Sequence, residues 1–337
     1  MTIFDKIQEL RGLALMSKHE QLVTGIINAI NERILVQGNM LPSVNVMVRE
    51  VGFARKTIVK AYEELKERGI IESKNRLGYF ITNVATDQRV KVAVLLYAFH
   101  TFQEIFYNKF REQLGENIQL DIYFHHNNIE VFETILNNIK RRYAMYVVAP
   151  IHGQRTRELL GSIPPNKLLI VDRFENLGPE YSYISQEFEQ STYKILSQLK
   201  ESIERFDELI LFFKENTDYP LGAKKAFERF INDHQINGHI QTEYVKGSLE
   251  KGKVYFTIGD TDLWKILKDA MDAGIEIGED IGILSHNDTP VKEIVCGGIT
   301  TYYSDFEAMG IKAASYVLEK DKIQEILTMQ LSRRKSL

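Results

Sequence analysis

Residues 41–62 read LPSVNVMVREVGFARKTIVKAY, and this stretch decides the fold of the N-terminal part of the chain. Ser43 follows a proline and predicts a helix N-cap, because its hydroxyl can accept a hydrogen bond from a free amide of the first turn. Gly52 is typical of the residue that ends a helix. A second helix is predicted from near Ala54 to before Gly69, because its apolar residues recur at spacings of three and four. The stretch therefore predicts two helices joined by a tight turn.

The segments on either side complete a small domain. Upstream, a stripe of apolar residues predicts a further helix of about 17 residues. Downstream, residues 70–73 (IIES) and 78–81 (GYFI) predict two short strands, and the turn between them contains Lys74 and Arg76. Three helices followed by a hairpin make a winged helix-turn-helix of the α+β class, which we place at residues 18–82.

The second helix of the quoted stretch has no acidic side chain in its first half. Its apolar residues predict a buried face, which leaves a basic face opposite. The polar residues on or beside that face are Arg55, Lys56, Thr57 and Lys60. A major groove of DNA accepts one helix, where arginine and lysine can bind guanine edges and lysines suit phosphates. Lys74 and Arg76 are placed to reach the DNA backbone or minor groove. Alternatively, all of these charges only solubilise the surface.

The whole chain has 337 residues and a formal net charge of −4, which by itself does not indicate a nucleic-acid-binding protein. Residues 1–84, however, carry 12 Lys and Arg against 9 Asp and Glu, so a small basic part precedes a larger acidic part. The single cysteine, Cys296, excludes a disulfide framework and a cysteine-rich metal site. Charges at Asp5 and Lys6 argue against a signal peptide, and no uncharged apolar run of about 18 residues occurs, so we expect a cytoplasmic protein without a membrane partner.

From Val90 onward, segments typical of buried strands alternate with segments typical of amphipathic helices. Repeated β-α units predict parallel sheets that helices cover on both faces. About 230 residues with this pattern are too many for one small sheet, so we predict an α/β domain with two lobes. The expected divisions are an N-terminal extension (1–17), the winged helix-turn-helix (18–82), a linker (83–89), the two-lobed domain (90–325) and a C-terminal tail (326–337).

Polar and aromatic side chains follow most of the predicted strands. Ligands of such sheets bind beyond the carboxyl ends of the strands, so these side chains are candidates for binding a small molecule. Carboxylates, amides and aromatic rings together suit a neutral sugar, because they bind hydroxyl groups and pack against C–H groups. Alternatively, each residue is polar only because the chain reaches the surface there. The candidates are Tyr97, Phe99, His100, His125, His152, Arg173, Asp260, Asn287 and Asp288.

The quoted stretch, together with residues 69–72 (GIIE) and 78–81 (GYFI), resembles the DNA-binding domain of the GntR (gluconate-repressor) family. The resemblance implies that DNA contacts the residues that match the family's contact positions, namely Asn45, Arg55, Thr57 and Gly78. Asn45 and Val59 stand where many members have arginine. With the cap residue and the cations, the candidate DNA-binding residues are Ser43, Asn45, Arg55, Lys56, Thr57, Lys60, Lys74, Arg76 and Gly78.

Residues 257–260 (TIGD), 274–284 (GIEIGEDIGIL) and 298–310 resemble the type I periplasmic-binding-protein-like effector domain of LacI-type repressors. A GntR-type head on such a body resembles the arabinose-repressor subgroup, whose members bind sugars and control sugar-utilisation genes. The resemblance implies a repressor that binds double-stranded operator DNA as a homodimer. It also implies a small-molecule effector, expected to be a monosaccharide, between the two lobes.

Three residues of the body match the subgroup's effector-binding positions. Asp260 matches an effector-contacting aspartate, whereas Asn287 stands where the aspartate before Asp288 is usual. Tyr219 stands where an effector-binding arginine is usual, and it joins the candidate effector-binding residues on this ground. The identity of the sugar therefore stays open.

Other chemistry finds little support in the sequence. Adjacent residues of a strand point to opposite sides, so His125 and His126 do not suit one metal ion. Residues 285–288 (SHND) contain the residue types of a catalytic triad, but contiguous residues cannot supply its geometry. Gly252 and Lys253 lack the glycine spacing of a phosphate loop, and an aminotransferase-like body would need a longer chain. We expect no cofactor and no catalytic residue; a non-sugar effector and an enzyme on a doubly wound α/β fold stay open as alternatives.

Overall fold

The computed structural model describes residues 2–12, 16–74, 77–82, 90–115, 118–140, 142–215 and 217–337. The chain divides into two compact units, Met1–Gln88 and Arg89–Leu337. The predicted linker, residues 83–89, and the predicted DNA-binding residue Arg76 lie outside the described residues.

The described part of the N-terminal unit consists of short helices followed by an antiparallel hairpin. Its elements are α1 (Ile3–Glu9), α2 (Lys18–Asn31), α3 (Val44–Val51), α4 (Arg55–Glu67), β1 (Ile71–Lys74) and β2 (Gly78–Ile81). The Ser43 hydroxyl accepts a hydrogen bond of 3.3 Å from the Val46 amide, and Gly52 ends α3 in the left-handed region at a φ of +65°. The predicted cap, turn and wing are therefore confirmed.

Helix α1 belongs to this unit, although residues 1–17 were predicted to be a separate extension. The side chains of Ile3 and Ile7 are buried in the same core as Ile58 and Tyr62 of α4. A Cβ atom at Gly25 of α2 would lie 2.6 Å from Cγ1 of Ile7, so only glycine lets the two helices approach this closely. The N-terminal helix is thus packed onto the winged helix-turn-helix.

The larger unit alternates strands and helices, as the sequence predicts. The strands are β3 (Val90–Leu96), β4 (Ile118–Phe124), β5 (Met145–Val148), β6 (Leu168–Asp172), β7 (Ser182–Gln186), β8 (Glu208–Phe212), β9 (Gly238–Gln241), β10 (Lys253–Thr257), β11 (Gly282–His286), β12 (Thr300–Tyr303), β13 (Gln324–Leu327) and β14 (Gln330–Ser332). The helices are α5 (Thr101–Leu114), α6 (Ile129–Ile139), α7 (Gln154–Gly161), α8 (Glu189–Gln198), α9 (Lys200–Ile203), α10 (Leu221–His234), α11 (Asp260–Ala273), α12 (Pro290–Ile294) and α13 (Phe306–Glu319).

Two sheets form the larger unit within the described residues. The first has the strand order β13-β7-β6-β5-β3-β4, and all its strands are parallel. The second has the order β14-β12-β11-β10-β8-β9, and only β14 runs antiparallel to its neighbour. Buried apolar clusters lie on both faces of each sheet, between the strands and the helices that cover them. The predicted two-lobed α/β architecture is confirmed.

The chain passes between the two sheets repeatedly. In the described residues it crosses after β7 at residues 187–188, after β12 at residues 304–305 and after β13 at residues 328–329. Helix α13, which follows the second sheet in the chain, packs against α5 of the first lobe. Each lobe is therefore built from segments that are distant in the sequence.

Several local features differ from what the sequence predicts. Residues 326–337 were expected to be a tail, yet β14 pairs with β12 and the Ser336 side chain is fully buried. The helical segment over residues 189–203 is interrupted at Leu199, which separates α8 from α9. No helix in the described part of the chain is long and apolar enough to cross a membrane.

Candidate DNA-binding surface and effector cleft

The N-terminal half of α4 presents the basic face predicted from the sequence. Its buried side consists of Ile58 and the apolar residues that follow it, whereas Arg55, Lys56 and Lys60 are exposed. The Arg55 guanidinium donates a hydrogen bond of 2.5 Å to the side-chain oxygen of Asn45 on α3. Two residues that the family resemblance implies contact DNA therefore lie together on one surface.

The hairpin places two further candidates at its tip. Lys74 and Gly78 are opposite each other in the register of β1 and β2, and Gly78 has a φ of +117°, which favours glycine. The Lys74 ammonium lies 3.2 Å from the Glu72 carboxylate and 4.9 Å from the centre of the Phe80 ring. Thr57 is half-buried, and Ser43 uses its hydroxyl to cap α3. Contact of these residues with DNA stays a prediction.

The larger unit contains a cavity of about 340 Å³ between its two lobes, which we call the cleft. Its lining comes from the segments that follow β3, β6 and β7 of the first sheet and β8, β10 and β11 of the second. The carboxyl ends of parallel strands from both sheets therefore face one space, which is where ligands of such sheets bind. Six of the predicted effector-binding residues line the cleft: Phe99, His100, Arg173, Tyr219, Asp260 and Asn287.

Arg173 joins the two lobes across the cleft. Its guanidinium donates a hydrogen bond of 2.6 Å to the backbone carbonyl of Asp218, which follows β8 of the second sheet. The same group lies 4.5 Å from the centre of the Phe188 ring and 5.6 Å from that of Tyr97. Because planar guanidinium groups stack on aromatic rings, these rings fix the position of the Arg173 charge.

Asp172, next to Arg173, is a buried carboxyl group at the end of β6. Its side chain accepts a hydrogen bond from the amide of Gln186 at the end of β7. Burial raises the pKa of Asp172, and the nearby guanidinium of Arg173 opposes that rise. The backbone of Asp172 has a φ of +67°, in the left-handed region that few non-glycine residues adopt, and the residue lines the cleft.

Lys292 of α12 compensates the charge of Asp260. Its side chain is fully buried, and its ammonium lies 2.7 Å from a carboxylate oxygen of Asp260 at the start of α11. It also donates hydrogen bonds of 2.7 and 2.8 Å to the backbone carbonyls of His286 and Asn287. Burial lowers the pKa of Lys292. Asp260 therefore faces the cleft without an uncompensated charge.

Four lining residues carry buried polar atoms without a hydrogen-bond partner among the described residues, and one of these atoms is Nε of Arg173, a donor. The other three atoms are Oε1 of Gln186, Nε2 of His286 and Oδ1 of Asn287. Burial, with the positive charges of Lys292 and Arg173, lowers the pKa of His286 to about 3, so its ring is neutral at pH 7. Buried polar atoms of this kind are normally hydrogen-bonded, which suits a ligand that brings hydroxyl groups.

Four predicted effector-binding residues do not line the cleft, and each has a structural explanation. Tyr97 is buried beneath Arg173, and its hydroxyl bonds the carbonyl of Pro150. His125 is fully buried with its ring bonded to the Ala149 carbonyl at 3.0 Å, and burial lowers its pKa to about 4. These two belong to the core of the first lobe rather than to the ligand surface.

The other two residues contact charged side chains outside the cleft. The His152 side chain is 80% exposed, and its ring nitrogen lies 2.8 Å from the buried carboxylate of Glu175. Asp288 forms a pair of hydrogen bonds of 2.7 and 2.8 Å with Arg334. The cleft also contains residues that the sequence did not single out as ligand-binding, among them Phe102, Gln186 and Asp218. Among the described residues, no group of three or more His, Cys, Asp or Glu side chains could hold a metal ion.

Known proteins resemble the two units of this chain separately. Residues 18–81 match the family model for bacterial regulatory proteins of the gntR family. Over 63 residues the chain is 35% identical to an HTH-type transcriptional regulator of Mycobacterium tuberculosis, a match that covers 19% of this chain and 52% of that protein. The chain thus spans about half the length of the curated relative that it matches.

Solved structures with a similar fold cover the larger unit. They include a LacI family transcriptional regulator from Silicibacter pomeroyi, with a TM-score of 0.61 at 18% identity over 73% of this chain and 98% of that chain. The trehalose repressor from Escherichia coli matches with a TM-score of 0.61 at 14% identity, over 72% of this chain and 100% of that chain. A LacI family transcriptional regulator from Lactobacillus casei with bound glucose matches with a TM-score of 0.62 at 17% identity, over 73% of this chain and 99% of that chain.

The fold of the larger unit is therefore the periplasmic-binding-protein-like fold of LacI-family regulators. In this chain that fold follows a GntR-type helix-turn-helix domain, as the resemblance in the sequence predicts.

Proposed function

We propose that this protein is a sequence-specific DNA-binding transcriptional regulator, a repressor of carbohydrate-utilisation genes, that responds to a sugar bound in the cleft. The observation that carries the proposal is the combination of the two units. The first exposes a basic helix face beside Asn45, in the arrangement that a major groove accepts. The second forms a ligand-sized cavity from the strand ends of two lobes.

The chemistry of the cleft supports a neutral, hydroxyl-rich ligand. Lys292 compensates the charge of Asp260, while Arg173 is held by a backbone carbonyl and two aromatic rings. The unpartnered atoms of Gln186 and Asn287 can accept hydrogen bonds from hydroxyl groups. Phe99, whose side chain is 66% exposed, offers an apolar surface for C–H groups.

The proposal includes a homodimer that binds double-stranded operator DNA in the cytoplasm. One winged helix buries only a small DNA surface, so two heads on symmetric half-sites give the usual route to high affinity. The effector acts by binding one conformation of the two-lobed body more tightly than another.

The test combines ligand and operator measurements on the full chain. The operator is a DNA duplex that the protein selects from a library of random sequences. The sugar is the one that raises the melting temperature of the protein most among the sugars screened. We expect this sugar to change operator affinity by about 5–150-fold, the usual range of allosteric coupling. Asp260→Ala and Asn287→Ala should remove this change and leave sugar-free operator binding intact. Asp272→Ala, at an exposed position of α11, is the matched control.

Equal operator affinity with and without a sugar whose binding is proven by calorimetry would refute the proposed coupling. Conversion of the bound sugar into a product, followed by mass spectrometry, would instead indicate an enzyme on this fold.

A further inference from the structure

A second cavity of about 350 Å³ adjoins the cleft, and we call it the side chamber. The linings of the two cavities share Phe102, Asn287 and Thr289, so these three residues form the boundary between them. The side chamber continues from that boundary to Ile105 of α5 and to the crossing segment that links β12 with α13. The two cavities are therefore neighbours that share part of their lining.

An aromatic surface runs through both cavities. The Phe102 ring stacks on His100 of the cleft, with ring centres 5.4 Å apart and planes at 16°. The Phe102 ring also lies 5.0 Å from that of Phe306, which lines the side chamber. Because the C–H faces of sugar rings pack on aromatic side chains, this surface can support one ring in each cavity.

The side chamber also contains a buried polar group without a partner. Ser304 is 2% exposed, and its hydroxyl has no hydrogen-bond partner among the described residues. The unpartnered Oδ1 of Asn287 lies at the boundary of the two cavities. A ligand that brings hydroxyl groups into both cavities would satisfy these atoms, as buried polar groups require.

The charges of the side chamber select against anions. Glu293 and Glu307 are exposed carboxylates of its lining, and Asp305 also lines it while capping α13 through a bond of 2.8 Å from the Ala308 amide. Neither lysine nor arginine occurs among the described residues that line it. A phosphate or carboxylate group would therefore be repelled, whereas neutral hydroxyl groups find acceptors.

We propose that the cleft and the side chamber together bind a neutral disaccharide, with one ring in each cavity, instead of the single monosaccharide expected from the sequence. This inference rests on the proposed function, since it concerns the same sugar-binding site. Each cavity alone is near the lower limit of small-molecule sites, and the two together are of ordinary size. The second ring would contact the segment that joins the lobes, where it can influence their closure.

The test is calorimetry of the full chain with named sugars. The panel contains glucose, galactose, fructose and arabinose, the disaccharides maltose, trehalose, sucrose, lactose and cellobiose, and the 6-phosphates of glucose and trehalose. We expect one neutral disaccharide to bind about ten-fold or more tightly than each of its component monosaccharides and than the phosphate esters.

Two substitutions then test the position of the second ring. Ile105 and Glu293 both line the side chamber, so we expect Ile105→Trp and Glu293→Trp each to fill part of it. Glu293 is exposed, so its substitution should leave folding intact. Each substitution should lower disaccharide affinity about ten-fold or more and change monosaccharide affinity by about two-fold or less. Glu201→Trp, on the exposed side of α9, is the matched control that should change neither.

The outcomes separate the two proposals. A disaccharide that binds no more tightly than its components, or a phosphate ester that binds best, overturns the side-chamber inference and leaves the sugar-responsive regulator standing. Unchanged disaccharide affinity in Glu293→Trp overturns the inference in the same way. Failure of every sugar in the panel to bind at millimolar concentration overturns the sugar effector itself, and the disaccharide with it.

Discussion

Lys292 shows how a single side chain decides which ligands the cleft can accept. Its buried ammonium pairs with the Asp260 carboxylate and donates hydrogen bonds to the backbone carbonyls of His286, the last residue of β11, and of Asn287, the next residue. A buried charge is tolerated only when it is paired and hydrogen-bonded in this way. Because the pair is compensated internally, Asp260 can accept hydroxyl groups without requiring a cation in the ligand. The same contacts fix the loop that carries Asn287.

Arg55 and Lys60 should contribute differently to DNA binding. Arg55→Ala should weaken binding to the selected operator by about 1–3 kcal/mol and relax the preference at one base pair per half-site. Lys60→Ala should weaken binding to all sequences alike and reduce its salt dependence, because lysines contact phosphates. Lys66→Ala, at an exposed position in the C-terminal half of α4, is the control. Mobility-shift titrations at several salt concentrations measure both effects; unchanged operator affinity of Arg55→Ala would show that α4 is not the recognition helix.

His286 should make the larger unit sensitive to acid. Its pKa is about 3 in the folded protein against 6.5 for an unperturbed histidine, so between these pH values the unfolded chain binds a proton that the folded chain does not. Stability therefore falls as the pH drops below about 6.5. From pH 7.5 to pH 4.5, wild type should lose about 2–3 kcal/mol more stability than His286→Phe, whose ring can pack against Tyr302 and Phe188.

Urea denaturation at the two pH values measures this difference. His126→Phe, at an exposed position, controls for the loss of an imidazole. If wild type and His286→Phe lost the same free energy of unfolding between the two pH values, His286 would have to accept a proton in the folded protein.

The cleft residues that the sequence predicted follow strands with a clear apolar pattern, whereas Gln186, which it missed, ends a strand without one. Phe99, Asp260 and Asn287 follow strands that were recognisable as apolar runs, so their place at the ligand-binding edge followed from the rule for parallel sheets. Gln186 ends β7, whose sequence SYISQ lacks such a run. The burial of Lys292 depends on the packing of distant segments, which no local pattern reports.

At the scale of the element, prediction succeeded where cap and periodicity agreed. Helices α3 and α4 begin and end close to the residues that Ser43, Gly52 and the apolar spacing indicate. Strands β9, β13 and β14 are short pieces at sheet edges, and their sequences GHIQ, QEIL and QLS carry little apolar periodicity. Pairing with residues far away in the chain, not local preference, makes them strands.

The segment after β14 should stabilise the second lobe through Arg334. Its guanidinium bonds both carboxylate oxygens of Asp288 and the hydroxyl of Thr301, and its side chain is 18% exposed. Arg334→Ala should lower the free energy of unfolding by about 2–4 kcal/mol, because it leaves the Asp288 carboxylate largely buried without its partner. The control Lys335→Ala removes a pair that is mostly exposed and should change stability by less than about 1 kcal/mol. Chemical denaturation measures both; equal effects would contradict the anchoring role of Arg334.

At the scale of the whole molecule, the proposed function assigns DNA binding to the N-terminal unit and effector binding to the larger unit. The N-terminal unit presents Asn45 and Arg55 as a bonded pair on one surface, while the larger unit presents a cleft that two lobes share. The three crossing segments connect these lobes, and one of them lines the side chamber. A ligand that holds the lobes at one angle can therefore change the state of the whole body, which is the requirement for allosteric control.

The crossing segments also set the order in which the body can fold during synthesis. When residues 90–186 have left the ribosome, the first lobe still lacks α13 and β13, which follow nearly all of the second sheet in the chain. Until Phe306 and its neighbours arrive, the apolar side of α5 around Phe106 and Phe110 has no covering helix. The N-terminal unit, whose segments are contiguous, can fold early, whereas the two lobes must be completed together. The nascent body consequently exposes apolar surface to chaperones for most of its synthesis.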